Sequence, residues 1–166
     1  LGLAQLDQKR AAEAVESFNR SLRLDPTPTE VRAARATALI RLKRTDEARE
    51  DLKVLEADPR WQSLSAYLRG QLLFTEGDLE GASKAFAEAR ALGGEEAAPA
   101  AFYEGLTYLR MKDLVRARKA FRQAAGGPDT DPTLGDASRQ LDAVLAAQQR
   151  RAKRWEIQIT TAIEYD

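Results

Sequence analysis

Small and large apolar residues recur along this chain at a period much longer than one turn of helix. Ala14, Ala48, Ala82 and Ala117 are spaced 34, 34 and 35 residues apart. Four positions after each stands a large apolar residue, in turn Phe18, Leu52, Phe86 and Phe121, and twelve positions before each stands Gly2, Ala36, Gly70 or Gly105. A period near 34 residues with small residues at two fixed places predicts a stacked array of helix pairs. The small residue of the first helix is expected where that helix crosses the second, with the alanine of the second helix facing it. Small side chains at a crossing let two helix axes approach to about 8–10 Å. The large residue four positions on then fills the space towards the next pair, and each pair buries its apolar face only by stacking on its neighbours.

Turn signals fall between these markers. Gly77-Asp78 is expected to separate the two helices of the third pair. Asp25-Pro26 and Asp58-Pro59 are expected to end second helices, because proline disfavours helical geometry in the residue before it. Gly93-Gly94 and Gly126-Gly127-Pro128 close the last two pairs in the same way.

Two further segments follow the repeats. Over 133–154, Leu134, Ala137, Leu141, Val144, Leu145 and Gln148 recur at helical spacing, opposite Asp136, Arg139, Gln140, Asp142, Gln149 and Arg150. A half-apolar helix in this place is expected to cap the array. After the basic run Arg150, Arg151, Lys153 and Arg154 the period changes to two. Trp155, Ile157, Ile159, Thr161, Ile163 and Tyr165 alternate with Glu156, Gln158, Thr160, Ala162, Glu164 and Asp166, which predicts a strand over 155–166. At roughly 3.3 Å per residue the stretch from Trp155 to Tyr165 reaches about 36 Å. Tilted by about 45°, it crosses about 25 Å, the height of the apolar band of a membrane β-barrel. Aromatic residues at both ends match the interface girdles of such barrels. Trp155, Ile157, Ile159, Ile163 and Tyr165 are therefore candidate membrane-facing positions of a first barrel strand continued beyond residue 166. The other reading is a strand that joins a soluble sheet or a segment that folds back on the repeats. A strand without neighbours also invites edge-to-edge pairing with a second copy, that is, tail-mediated self-association.

The repeats resemble the tetratricopeptide repeat (TPR) family. Gly2, Ala14, Phe18 and Pro26 match the later positions of a repeat over 1–28 whose start is missing. Ala36, Ala48, Leu52 and Leu55 mark a second repeat over 29–62, and Gly70, Gly77, Ala82, Phe86 and Ala89 a third over 63–97. Gly105, Tyr108, Ala117, Phe121 and Ala124 mark a fourth over 98–132. The resemblance implies an all-α fold, a right-handed α-solenoid with the capping helix and a short terminal strand segment. Arg35, Arg69 and Glu104 depart from it, since they occupy a place that is usually leucine, and packing there is expected to fall to Leu39, Leu68, Leu73 and Tyr108. The resemblance also implies a concave groove lined by first helices. Its positions are Ala33, Thr37 and Ile40, then Tyr67, Gln71 and Phe74, then Phe102, Leu106 and Leu109, with Arg41 and Arg110 near the edge. The implied partner is a protein or peptide. The carboxylate clamp by which some family members hold chaperone tails is not matched, because the corresponding places hold Ala33, Thr37, Leu68 and Tyr103.

Composition narrows the function. The 166 residues carry 26 basic and 26 acidic side chains, so the basic excess of a nucleic-acid binder is missing. The chain has no cysteine and no histidine, which removes thiol nucleophiles, the usual general base and the common zinc ligands. There is no glycine-rich phosphate loop after a strand and no G-x-S-x-G elbow. Glu95-Glu96 and the pair Glu47 and Asp51 read as capping or solvating carboxylates, and Arg44, Arg49, Arg116, Arg118 and Arg122 as solvated helix surface. No run approaches the roughly 18–20 apolar residues of a membrane helix. The chain opens at Leu1 and its single methionine is Met111, as in a piece of a longer protein. The expectation is a non-catalytic scaffold without cofactors or metal. With the strand, the whole resembles bacterial envelope proteins in which a periplasmic repeat array precedes an outer-membrane barrel and docks an export or assembly partner. The alternative is a general soluble adaptor, cytoplasmic or periplasmic.

Overall fold

A computed structural model describes residues 2–125 and Ala146 of the chain. The helices are α1 (Gly2–Leu24), α2 (Thr29–Arg41), α3 (Thr45–Glu56), α4 (Gln62–Glu76), α5 (Leu79–Leu92), α6 (Ala97–Arg110) and α7 (Leu114–Ala125). A single 3₁₀ turn, Pro59–Trp61, leads into α4. Each helix packs on the next, and α2, α4 and α6 also touch in sequence, forming one row of an α-solenoid. There is no strand among the described residues. The expected capping helix over 133–154 and the strand over 155–166, with Trp155, Ile157, Ile159, Ile163 and Tyr165, lie outside the described residues, Ala146 excepted.

The turns inside the repeats share one geometry. Lys43, Gly77 and Lys112 occupy the same place in successive repeats and have φ of 58°, 91° and 61°. Glycine meets this left-handed requirement without strain, whereas each lysine is held there against its Cβ. After the last two of these turns an aspartate starts the second helix: Asp78 accepts from the Gly81 amide and Asp113 from the Arg116 amide, both at 2.9 Å. These bonds satisfy amides that have no partner within the helix.

The first repeat departs from the expected helix pair. The period puts its turn near Lys9, yet α1 runs unbroken from Gly2 to Leu24. The lysine itself is not the reason, since Lys43 and Lys112 both make the turn. In those repeats a first helix of 13 or 14 residues gains a buried face by folding back on the second. Over Gly2–Leu24 the continuous helix instead adds a backbone hydrogen bond per residue.

The repeat crossings are set by rings on glycines. A Cβ added to Gly70 would lie 2.5 Å from the Phe86 ring, and one added to Gly105 would lie 2.7 Å from the Phe121 ring. Ala82 and Ala117 are fully buried beside them, but it is the ring that occupies the space above the glycine. Phe86 also stacks on Tyr103 of the next repeat, with centroids 5.6 Å apart and planes at 24°. One side chain thus closes its own helix pair and joins it to the following one. Where the second helix carries the slimmer Leu52, the first helix carries Ala36, and both are buried.

The three polar residues at the usual leucine place make ion pairs. Arg35 grips Asp51 of α3 with two bonds, Nε to Oδ2 at 2.7 Å and Nη2 to Oδ1 at 2.6 Å, and its Nη1 donates to Asn19 of α1 at 2.8 Å. Asp51 is fully buried and takes a further bond from Arg32 Nη1 at 3.2 Å. The Arg35 guanidinium is pushed above its ordinary range chiefly by the bond to Asp51. Arg69 bridges Glu56 of α3, at 2.9 Å, and Glu88 of α5 at 2.5 Å. Buried Glu104 accepts from Arg90 Nε of α5 at 3.0 Å and from the Tyr108 hydroxyl at 3.3 Å. Leu39 and Leu68 are buried beside these groups, as the departure from leucine requires. Asp51 corrects the reading of the Glu47 and Asp51 pair as solvating carboxylates: Glu47 is exposed and pairs with Arg44, but Asp51 faces inwards. Helical phase alone puts these two on one side. The arginines of α2 decide which of them the core accepts.

Gly70→Ala is expected to lower stability, because overpacking costs about 1–3 kcal/mol against about 1 kcal/mol gained in helix propensity. Adding Phe86→Leu to that variant is expected to recover part of the loss by reproducing the Ala36 and Leu52 pairing. Urea titration of the two single variants and the double gives the coupling, and strict additivity would refute the ring-on-glycine account. Asp51→Ala strands Arg32 and Arg35 in a half-buried site and is expected to cost about 3–5 kcal/mol, read as a fall in Tm by circular dichroism.

Candidate partner-docking groove

Helices α2, α4 and α6 enclose a groove of about 570 Å³. The first-helix row forms it because the turns at Lys43 and Gly77 return the chain so that each first helix lies beside the next. From α2 and the turn after it come Thr37, Ile40, Arg41 and Lys43. From α4 come Leu64, Tyr67, Leu68, Gln71, Phe74 and Thr75, and from α6 comes Tyr103.

Its wall is an aromatic chain. Tyr67 meets Tyr103 edge-on at 5.9 Å and Phe86 at 6.1 Å, and Phe74 meets Tyr103 edge-on at 6.4 Å. Tyr103 stands at the junction of these rings, with Phe102 a further edge contact at 5.8 Å. The Gln71 amide donates to the Tyr67 hydroxyl at 2.7 Å, fixing both side chains on the α4 face. The Thr37 hydroxyl donates to the Ala33 carbonyl at 2.9 Å, so its methyl is the part left to offer. Arg110 caps one edge: its guanidinium lies 4.6 Å from the Phe74 ring centre and its Nη1 donates to the Phe74 carbonyl at 3.1 Å. Burial, then the nearby Tyr103, pushes the Tyr67 phenol up to about 12, while Gln71 and Arg41 act in the opposite sense.

The structure sorts the expected lining residues. Thr37, Ile40, Tyr67, Gln71 and Phe74 converge on the groove, and Arg110 reaches its edge through Phe74. Ala33 belongs to the buried core. Phe102 and Leu106 are turned towards α7, where they pack against Ala117 and Phe121, with Phe102 and Phe121 ring centres 5.6 Å apart. Leu109 is 36% exposed and lines no part of this groove. Tyr103 is the lining residue the sequence reading assigned only to an unmatched clamp. Its counterpart in the third repeat is Leu68, which lines the groove as well, so the position after the expected one carries the signal.

Among the described residues no cluster of three or more His, Cys, Asp or Glu side chains is arranged to hold a metal ion. No described helix is long and apolar enough to cross a membrane.

The Tyr67 phenol gives the groove a measurable signature. Its folded pKa lies above the ordinary 10.0, so the fold favours the neutral phenol. That contribution to stability is complete below about pH 10 and is lost as pH rises through about 12. Tyr67→Phe is expected to delete a step near pH 12 from the tyrosinate absorbance titration and to flatten the loss of stability over that window. A titration unchanged by the substitution would contradict the buried phenol.

Comparison with known proteins agrees with this architecture. Two family profiles, both described as tetratricopeptide repeat, match residues 5–72 and 67–132. A search among curated proteins gives no match. Among solved structures, a thermophilic TPR protein of Thermus thermophilus superposes with a TM-score of 0.68 at 22% identity, over 87% of this chain and 79% of that one. MamA superposes with a TM-score of 0.59 at 19% identity, over 84% of this chain and 89% of its own. At these identities the likeness is one of fold. Repeat spacing, helix stacking and both profiles agree, and the chain belongs to the tetratricopeptide repeat family.

Proposed function

We propose that this chain is a protein-interaction scaffold whose working surface is the groove between α2, α4 and α6. The observation that carries the reading is the half-buried aromatic wall of Tyr67, Phe74 and Tyr103 lining the groove, with Gln71 beside it. An apolar recess of this size on a repeat array is the place for an extended or helical segment of another protein. TPR proteins are in general scaffolds for protein partners, and a groove without reactive groups fits that role.

The finer reading places the scaffold in the periplasm of a Gram-negative bacterium, ahead of an outer-membrane barrel, where it docks an export or assembly factor beside the pore. What supports it is the alternation from Trp155 to Tyr165, with its length and terminal aromatics. A soluble adaptor without a barrel is equally consistent with the repeats. The parent reading frame separates the two: alternating segments of about ten residues after Asp166 support the barrel, and a continuation as helical repeats removes it.

A photo-cross-linking residue at Gln71 is expected to trap a partner that the same residue at exposed Lys53 does not. The trapped species is expected to disappear in Tyr67→Ala/Phe74→Ala, with identification by mass spectrometry. Equal trapping from both positions would refute the groove as the working surface.

A further inference from the structure

The charged side chains that line the groove are all of one sign. Among the described residues, all but two of the arginines from Arg32 to Arg116 form an ion pair with an aspartate or glutamate. The two are Arg41, which lines the groove, and Arg110, which stacks on its Phe74. Lys43 also lines the groove, and no ion pair among the described residues includes it. The groove has no carboxylate of its own: its charged lining residues are Arg41 and Lys43. Glu96 acts on Tyr67 electrostatically but is not part of the lining. In a chain of zero net charge, these cations collect around one aromatic recess.

Arg41 and Lys43 stand at the α2 end of the recess, and Arg110 comes from α6. The aromatic wall lies between these helices. A ligand that lays an apolar side chain against Tyr67, Phe74 and Tyr103 therefore brings its flanking groups towards cations. Flanking carboxylates would gain charge-assisted hydrogen bonds from partners that have no competing acid to release. Flanking lysines would meet like charge instead, which is a means of rejecting the wrong segment.

From this we infer that the groove selects a segment of a partner protein in which an aromatic or aliphatic residue is flanked by aspartate or glutamate, with Arg41 and Arg110 as the anchors for those carboxylates. The inference rests on the groove being the partner site and adds the chemistry of the occupant.

The test is selection from a random twelve-residue peptide display library on the immobilised whole chain, followed by affinity measurement on the enriched peptides. Enriched sequences are expected to carry acidic residues beside an apolar one, and a glutamine-for-glutamate copy of the best peptide is expected to bind about tenfold more weakly. Arg41→Gln/Arg110→Gln is expected to lose a similar factor, and binding of the acidic peptide is expected to weaken as salt rises. Thermal melts of this variant confirm that it folds. A second variant, Gln71→Trp, fills the recess while leaving Arg41, Lys43 and Arg110 in the chain and is expected to abolish binding. Neutral or basic enriched peptides that Gln71→Trp excludes would overturn the charge inference and leave the groove as the docking site. Peptides that bind Gln71→Trp as well as the parent chain, or no enrichment at all, would overturn both. Enrichment of acidic peptides that bind Arg41→Gln/Arg110→Gln undiminished would overturn the assignment of the anchors.

Discussion

A phenyl ring resting on a glycine is the contact on which the rest of this solenoid depends. Phe86 on Gly70 and Phe121 on Gly105 set how close the two helices of each pair come. The same Phe86 ring stacks on Tyr103, so intra-repeat and inter-repeat packing are one contact. A helix pair alone has no second wall for that ring, and its burial arrives only when the next repeat is in place. This is why the array behaves as a stack and why the small residue matters as much as the large one. Leu52 over Ala36 solves the same crossing with a thinner side chain and a larger floor.

Polar contacts at the seams add discrimination to this packing. Arg69 reaches Glu56 of the preceding repeat, and at the equivalent seam one repeat later Glu104 takes Arg90, with the charges exchanged. Apolar faces that are nearly alike can stack in a wrong order or register. Oppositely wired ion pairs make such arrangements costly, because a displaced repeat would set like charges together in partly buried sites. Asp51, held by two arginines from α2 and tied through Arg35 to Asn19 of α1, fixes the first seam.

The groove is a consequence of this stacking. Once α2, α4 and α6 stand side by side, the faces not used for the second helices look into a common recess. Tyr103 is shared between structure and site: one contact holds Phe86 in the core and others form the aromatic wall with Tyr67 and Phe74. The surface that a ligand meets is thus rigid on the side of the rings and adjustable on the side of the long cations. Preorganised aromatic surface reduces the ordering that binding has to impose, and flexible charges at the edge accommodate variation in the partner.

The sequence by itself determined the period, the helix pairs and most of their ends, because small residues at crossings and Gly, Pro and Asp at turns act locally or at fixed spacing. The stops before Asp25-Pro26 and Asp58-Pro59, the break at Gly77-Asp78 and the end of α5 before Gly93 lie where those residues put them. The resemblance to tetratricopeptide repeats likewise implied Thr37, Ile40, Tyr67, Gln71 and Phe74 as residues of one surface. What needed the tertiary structure was every choice between equivalent faces. Lys9, Lys43 and Lys112 hold the same residue at the same place, yet only the last two turn, and there the helix before the turn packs on the one after it. Phe102 obeys the same spacing as Tyr67 but turns to α7, because Phe121 offers it a ring to pack on. Asp51 reads as a surface acid until α2 supplies two arginines, and the place of Arg110 at the groove edge comes from its stacking on the Phe74 ring of the neighbouring first helix. Spacing along one helix defines a face. Which partner meets that face is decided between helices, and that is where the seams and the groove of this protein are made.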